Sequence, residues 1–189
     1  MFEQILERIS LALDDLRIPY LVIGGQAVLL YGEPRLTRDI DITLDAGPDR
    51  LPAIMGLIQG WGWTILTSAP AEFVERTMVL PCLEPASGVR VDFIFSFSAF
   101  ENQAMEHARR VVLGKAEVRF ASVEDLIIHK IVAGRPRDLE DVKGILLRGS
   151  AINLSYLDHW LGEFDRSLGG QILRRWQELR KLVVPAPGK

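Results

Sequence analysis

Two aspartates one residue apart, Asp39 and Asp41 in "DIDITLD", stand inside a run whose other residues suit a β-strand. A strand turns alternate side chains to opposite faces. Both carboxylates therefore project the same way, about 7 Å apart, while Ile40 and Ile42 project the other way into a core. Two anions so placed repel unless a cation stands between them. A hard divalent ion such as Mg2+ fits, because it is held by one or two carboxylates together with waters and substrate phosphates. A third acid, Asp92, occurs in "GVRVDFIFSF", where Val91, Phe93 and Phe95 share one face and Arg90, Asp92 and Ile94 the other. An acid in so apolar a strand is costly to bury unpaired. Asp92 therefore reads as a further metal ligand, as a solvent-facing edge-strand acid, or as the partner of Arg90 in an ion pair.

Upstream, the apolar run "YLVI" closes on Gly24-Gly25 and leads into "QAVLLYG". A strand that ends in glycines and enters a helix leaves free backbone N–H groups at the helix start. These suit a phosphate, and glycine lets it approach the backbone closely. The pair is not part of a G-x-G-x-x-G dinucleotide fingerprint or a G-x-x-x-x-G-K-[ST] phosphate loop. His107 and His159 lack metal-ligand spacing, which excludes a zinc site.

The elements that must position these residues are legible from period and punctuation. Apolar residues at helical spacing over 3–16 end at Pro19. Strands are expected over 20–25, 39–45 and 63–67, with a short helix from Gln26 to Gly32 and another over 50–59 capped by Asp49. "VLPCLEPASGVRVDFIFSF" reads as a hairpin, residues 99–108 as a helix, and "RRVVLGKAEVRF" as a strand pair turning at Gly114. From Ser122 the period becomes helical, opening with a Ser122–Asp125 capping-box variant and continuing with helices near 137–148, 155–165 and 169–182. The expected fold class is α+β: a mixed sheet flanked by helices over residues 1–121, then an all-helical lobe over 122–189.

Charge is uneven along the 189 residues: positions 1–100 carry 7 Arg and 13 acids, whereas 101–189 carry 15 basic and 12 acidic residues. An acidic half suits cations and a mildly basic half suits phosphates. The acidic start lacks the basic region of a secretory signal, and no apolar run reaches the ~20 residues of a membrane helix. The single cysteine, Cys82, excludes an internal disulfide. The expected location is cytoplasmic.

In combination, "GGQAVLLYGEPRLTRDIDI" and Asp92 resemble the DNA polymerase β-like nucleotidyltransferase superfamily, in which a glycine turn and short helix precede an acidic D-x-D strand and a third carboxylate lies on a later strand. The "R-x-T-x-D-x-D" form, with Arg35 and Thr37, is most similar to the AbiEii-type branch, many of whose members are toxins of toxin–antitoxin systems. A second block, "SVEDLIIHKIVAGRPRDLEDV", resembles that branch's later motifs through Lys130, Arg137, Asp138 and Asp141. The glycine turn departs from the family's Gly-Ser form by continuing into Gln26.

The resemblance implies transfer of a nucleoside monophosphate from an NTP to an acceptor hydroxyl. Asp39, Asp41 and Asp92 would hold two Mg2+ ions, and Asp92 would also accept the acceptor's proton. Gly24 and Gly25 would cradle phosphates, with Thr37 beside them. Lys130, Arg35 or Arg137 would neutralise the triphosphate, and Asp138 would orient Lys130 or Arg137. Asp141 reads as a helix-surface acid. The implied acceptor is tRNA, with a cognate antitoxin as partner. Alternatives are a partner protein, a small molecule such as an aminoglycoside, or a non-catalytic regulator on the same fold.

Overall fold

A computed structural model describes residues 1–33, 37–149 and 151–182. Helix α1 (Phe2–Asp15) buries Ile5, Leu6, Ile9 and Leu13, the stripe its spacing predicts. Arg17 then takes a left-handed φ of 53° and the Ile18 N–H bonds the Leu13 carbonyl, which closes the helix before Pro19.

Strand β1 (Tyr20–Ile23) is buried at every position, as a central strand covered on both faces must be. Helix α2 (Gly24–Tyr31) follows without a loop, starting at the glycines themselves. Strand β2 (Asp39–Asp45) keeps the expected bounds.

A 3-10 turn (Pro48–Arg50) leads into α3 (Leu51–Gly60), whose N-cap is Arg50 with no side-chain cap bond. Asp49 thus lies within the 3-10 turn and does not cap the helix. Strand β3 (Thr64–Ile65) is shorter than expected. Helix α4 (Pro70–Thr77) has no counterpart in the sequence reading, although Pro70 at its first turn, Glu72 near its start and Arg76 near its end are helix signals.

The hairpin β4 (Val79–Glu84) and β5 (Val89–Ser96) forms as read. It is followed by α5 (Ala99–Glu106) and by the hairpin β6 (Arg109–Leu113) and β7 (Ala116–Phe120). The seven-stranded sheet runs β3-β4-β5-β2-β1-β7-β6. The pairs β2–β5 and β1–β7 are parallel and the rest antiparallel. Strand β5 therefore lies inside the sheet and is not the exposed edge that one reading of Asp92 required.

The chain divides into two compact units, Met1–Gln26 with Leu36–Ala121 and Ala27–Arg35 with Ser122–Lys189. The first holds the whole sheet. The second is helical, with α6 (Val123–Ala133), α7 (Pro136–Leu147), α8 (Leu154–Leu168) and α9 (Ile172–Arg180). The Ser122 hydroxyl accepts from the Asp125 N–H, the cap expected of it. Gly134, at a left-handed φ of 62°, ends α6 and lets the chain turn into α7. Within this unit, Arg148 donates to the Gly32 carbonyl. Asp158 ties α8 to α9 by accepting from Trp176 and Arg180. No helix among the described residues is long and apolar enough to cross a membrane.

Candidate active site

The parallel pairing of β2 with β5 sets Asp39 opposite Arg90 and Asp41 opposite Asp92. In-register neighbours project to the same face about 4.8 Å apart. Three carboxylates and one guanidinium thus occupy four adjacent positions of one sheet face. On the other face Ile40, Ile42, Val91 and Phe93 are fully buried. That burial holds the strands in this register, because a one-residue slip would drive the acids into the core.

Gly24 presses against this face. A Cβ at that position would lie 1.9 Å from Asp41 Oδ2, and its φ of 62° is itself unfavourable to other residues. Gly25 lies close to Thr37, whose Oγ1 would stand 2.5 Å from an added Cβ. The Thr37 hydroxyl in turn donates to the Asp39 carbonyl at 3.3 Å. The glycine turn, Thr37 and the D-x-D strand therefore form one contiguous constellation. Arg35 lies outside the described residues.

Asp92 is committed within this face. Arg90 Nε donates to its Oδ1 at 2.8 Å. The hydrogen bond to Asp92 and the charges of Asp92, Asp39 and Asp41 push the Arg90 pKa further up. Among the described residues no group of three or more His, Cys, Asp or Glu is arranged to hold a metal ion. What the face offers is a donor set of hard carboxylate oxygens with glycine backbone beside Asp41. That chemistry fits a hard divalent cation.

Lys130 and Asp138 lie in the second unit. The Lys130 ammonium, 4% exposed, donates to Asp138 Oδ1 at 3.1 Å and Asp141 Oδ2 at 2.7 Å. Arg135 Nε donates to Asp138 Oδ2 at 2.6 Å. Asp141 is thus a buried partner of the lysine, not a surface acid. Its three-residue spacing from Asp138, which puts both on one helix face, was the available signal. Arg137 is exposed on α7.

The comparisons with known proteins converge. The family described as "Nucleotidyltransferase of unknown function (DUF6036)" matches residues 1–180. The chain belongs to this nucleotidyltransferase family. No curated protein matches its sequence. Among solved structures, a nucleotidyltransferase-like antigenic protein from Paracoccidioides brasiliensis is similar at TM-score 0.56 and 14% identity, over 96% of this chain and 91% of that one. A nucleotidyltransferase structure from H. pylori is similar at 0.52 and 17%, over 96% and 91%. The antibiotic-resistance factor ANT(2'')-Ia, in complex with adenylyl-2''-tobramycin, is similar at 0.51 and 16%, over 96% and 98%. These likenesses establish the nucleotidyltransferase fold, and the family match establishes the class.

Proposed function

We propose that this nucleotidyltransferase is a Mg2+-dependent enzyme that transfers a nucleoside monophosphate from an NTP to an acceptor hydroxyl. The observation that carries the reading is the register that sets Asp41 beside Asp92 with Gly24 packed against Asp41. In this proposal Asp39 and Asp41 hold the metal and Asp92 joins them. The amides of Gly24 and Gly25 receive phosphate oxygens, and Thr37 braces the turn against β2. The acceptor oxygen attacks the α-phosphorus, the bond to pyrophosphate breaks, and the acceptor's proton passes to the Asp92 carboxylate. Bound there, Mg2+ would supply Lewis acidity for the charge on the attacking and leaving oxygens. Lys130 and Asp138 are not assigned a step, because within their unit each is already bound to the other.

The similarity of the two sequence blocks to the AbiEii-type branch supports tRNA as acceptor and a toxin of a toxin–antitoxin pair as biological role. A second reading, a small-molecule acceptor, is favoured by the likeness to ANT(2'')-Ia, whose structure contains an adenylylated tobramycin.

Label transfer tests both. The protein is incubated with each α-labelled NTP, Mg2+, and separately bacterial RNA, cell protein extract or an aminoglycoside, beside the Asp39→Asn/Asp41→Asn variant. Label on RNA that the variant does not produce supports the first reading, and label on the aminoglycoside supports the second. Label on a protein points to a partner-modifying enzyme. Absence of label from all acceptors counts against catalysis and for a regulator on this fold.

A further inference from the structure

The sheet face carries three acids but a single intrinsic cation among its four in-register positions, Asp39, Asp41, Arg90 and Asp92. Arg90 stands directly beside Asp39, yet its guanidinium reaches along the strand to Asp92, donating from Nε at 2.8 Å. We infer that Arg90 is a built-in counter-cation of this face, which keeps Asp92 out of the metal-binding set until a divalent cation displaces it. The inference rests on the nucleotidyltransferase reading above and adds to it the residue that sets how tightly the metal is held.

Three observations carry the argument. First, Asp92 shares one face with Asp39 and Asp41, and one of its oxygens accepts from Arg90. Second, Arg90 and a metal ion would compete for the same Asp92 carboxylate, because the guanidinium is itself a cation already seated on it. Third, the Arg90 side chain is 49% exposed while that of Asp92 is 17% exposed. An ion pair with one partner so open to solvent is weak and reversible. A divalent ion that gathers Asp39, Asp41 and Asp92 together offers the acids twice the charge at shorter range, and Arg90 can swing to solvent at little cost. The arrangement makes the ion compete with Arg90 for its third ligand.

The effect is measurable without catalysis. A single positive charge about 6 Å from a divalent ion, in a water-like dielectric, opposes its binding by threefold to tenfold. Mn2+ is titrated into the protein without nucleotide, and free ion is followed by electron paramagnetic resonance. Arg90→Gln is expected to bind Mn2+ about threefold to tenfold more tightly than wild type. Arg90→Lys, which keeps the charge, is expected to bind as wild type does. Arg90→Met repeats the test while keeping the apolar stem, should Arg90→Gln fold poorly. Wild type that binds Mn2+ no more weakly than both neutral variants would overturn the inference while leaving the metal reading intact. Folded wild type and folded neutral variants that all fail to bind Mn2+ would overturn the metal reading and the inference with it.

Discussion

The two units each contain a group of carboxylates with basic partners, and the two groups are built to opposite ends. In the sheet unit, Asp39, Asp41 and Asp92 share a partly open face with Arg90, three acids to one base among those four in-register positions. In the helical unit, Asp138 and Asp141 face Lys130 and Arg135, so the charges cancel, and the lysine and both acids are buried. A buried cluster must be neutral and fully bonded because desolvation penalises any charge left over. An exposed face is under no such demand, because water screens what remains. The imbalance on the sheet is thus affordable, and it is what leaves that face with an appetite for cations. The balanced cluster is a tie between α6 and α7.

The comparison can be broken most sharply by exchanging what is measured. Asp39→Asn/Asp41→Asn is expected to lower nucleotidyl transfer by about 10^3-fold or more, equivalent to roughly 4 kcal/mol of transition-state stabilisation. Its unfolding midpoint should stay at or above that of wild type. A large drop in midpoint would make the sheet acids structural and erase the distinction. Lys130→Met is expected to do the reverse on the stability axis. It leaves two acids buried without their ammonium, at a cost of about 3–5 kcal/mol in denaturant unfolding. Replacing Lys130, Asp138 and Asp141 together with apolar residues of similar size should recover most of that loss. Failure of the triple variant to recover would mean that this cluster does more than fill and bind.

Gly24→Ala lies between the two. The left-handed φ and the Asp41 carboxylate both oppose a Cβ, so a loss of about 1–3 kcal/mol is expected, together with reduced transfer because Asp41 must shift. A stable and fully active Gly24→Ala protein would separate the glycine turn from the acidic face. The smallest expected effect is at Cys82, whose thiol burial pushes up to about 12. The thiol of folded protein should resist alkylation at pH 8, because almost none of it is thiolate there. The same resistance in Asp39→Asn/Asp41→Asn would show that lost transfer did not come from an opened sheet.

Much of this was legible in the sequence, and for identifiable reasons. Period-two alternation in "DIDITLD" and "VRVDFIFS" assigns Ile40, Ile42, Val91 and Phe93 to the core and the acids to the other face, and burial follows that assignment. Helix α4 was missed because the segment 70–77 is only eight residues long and buries Val74 alone, despite its terminal signals. Asp49 was misread as a cap because a 3-10 turn, with the same composition as a capped start, precedes α3. Asp141 was read as a surface acid because its partner lies on a different helix, out of reach of local pattern.

By itself the sequence determined which side chains share a face and that α6 opens on a Ser122 cap, because alternation and caps are local properties of the backbone. Only the tertiary structure decided that β2 pairs in parallel with β5, a strand some fifty residues away. That pairing puts Asp41 beside Asp92 and Arg90 beside Asp39. Only it decided, too, that Lys130 spends its charge on Asp138 and Asp141. Such pairings are set by which apolar faces pack together and by the register that buries them, and no local stretch of sequence contains that information.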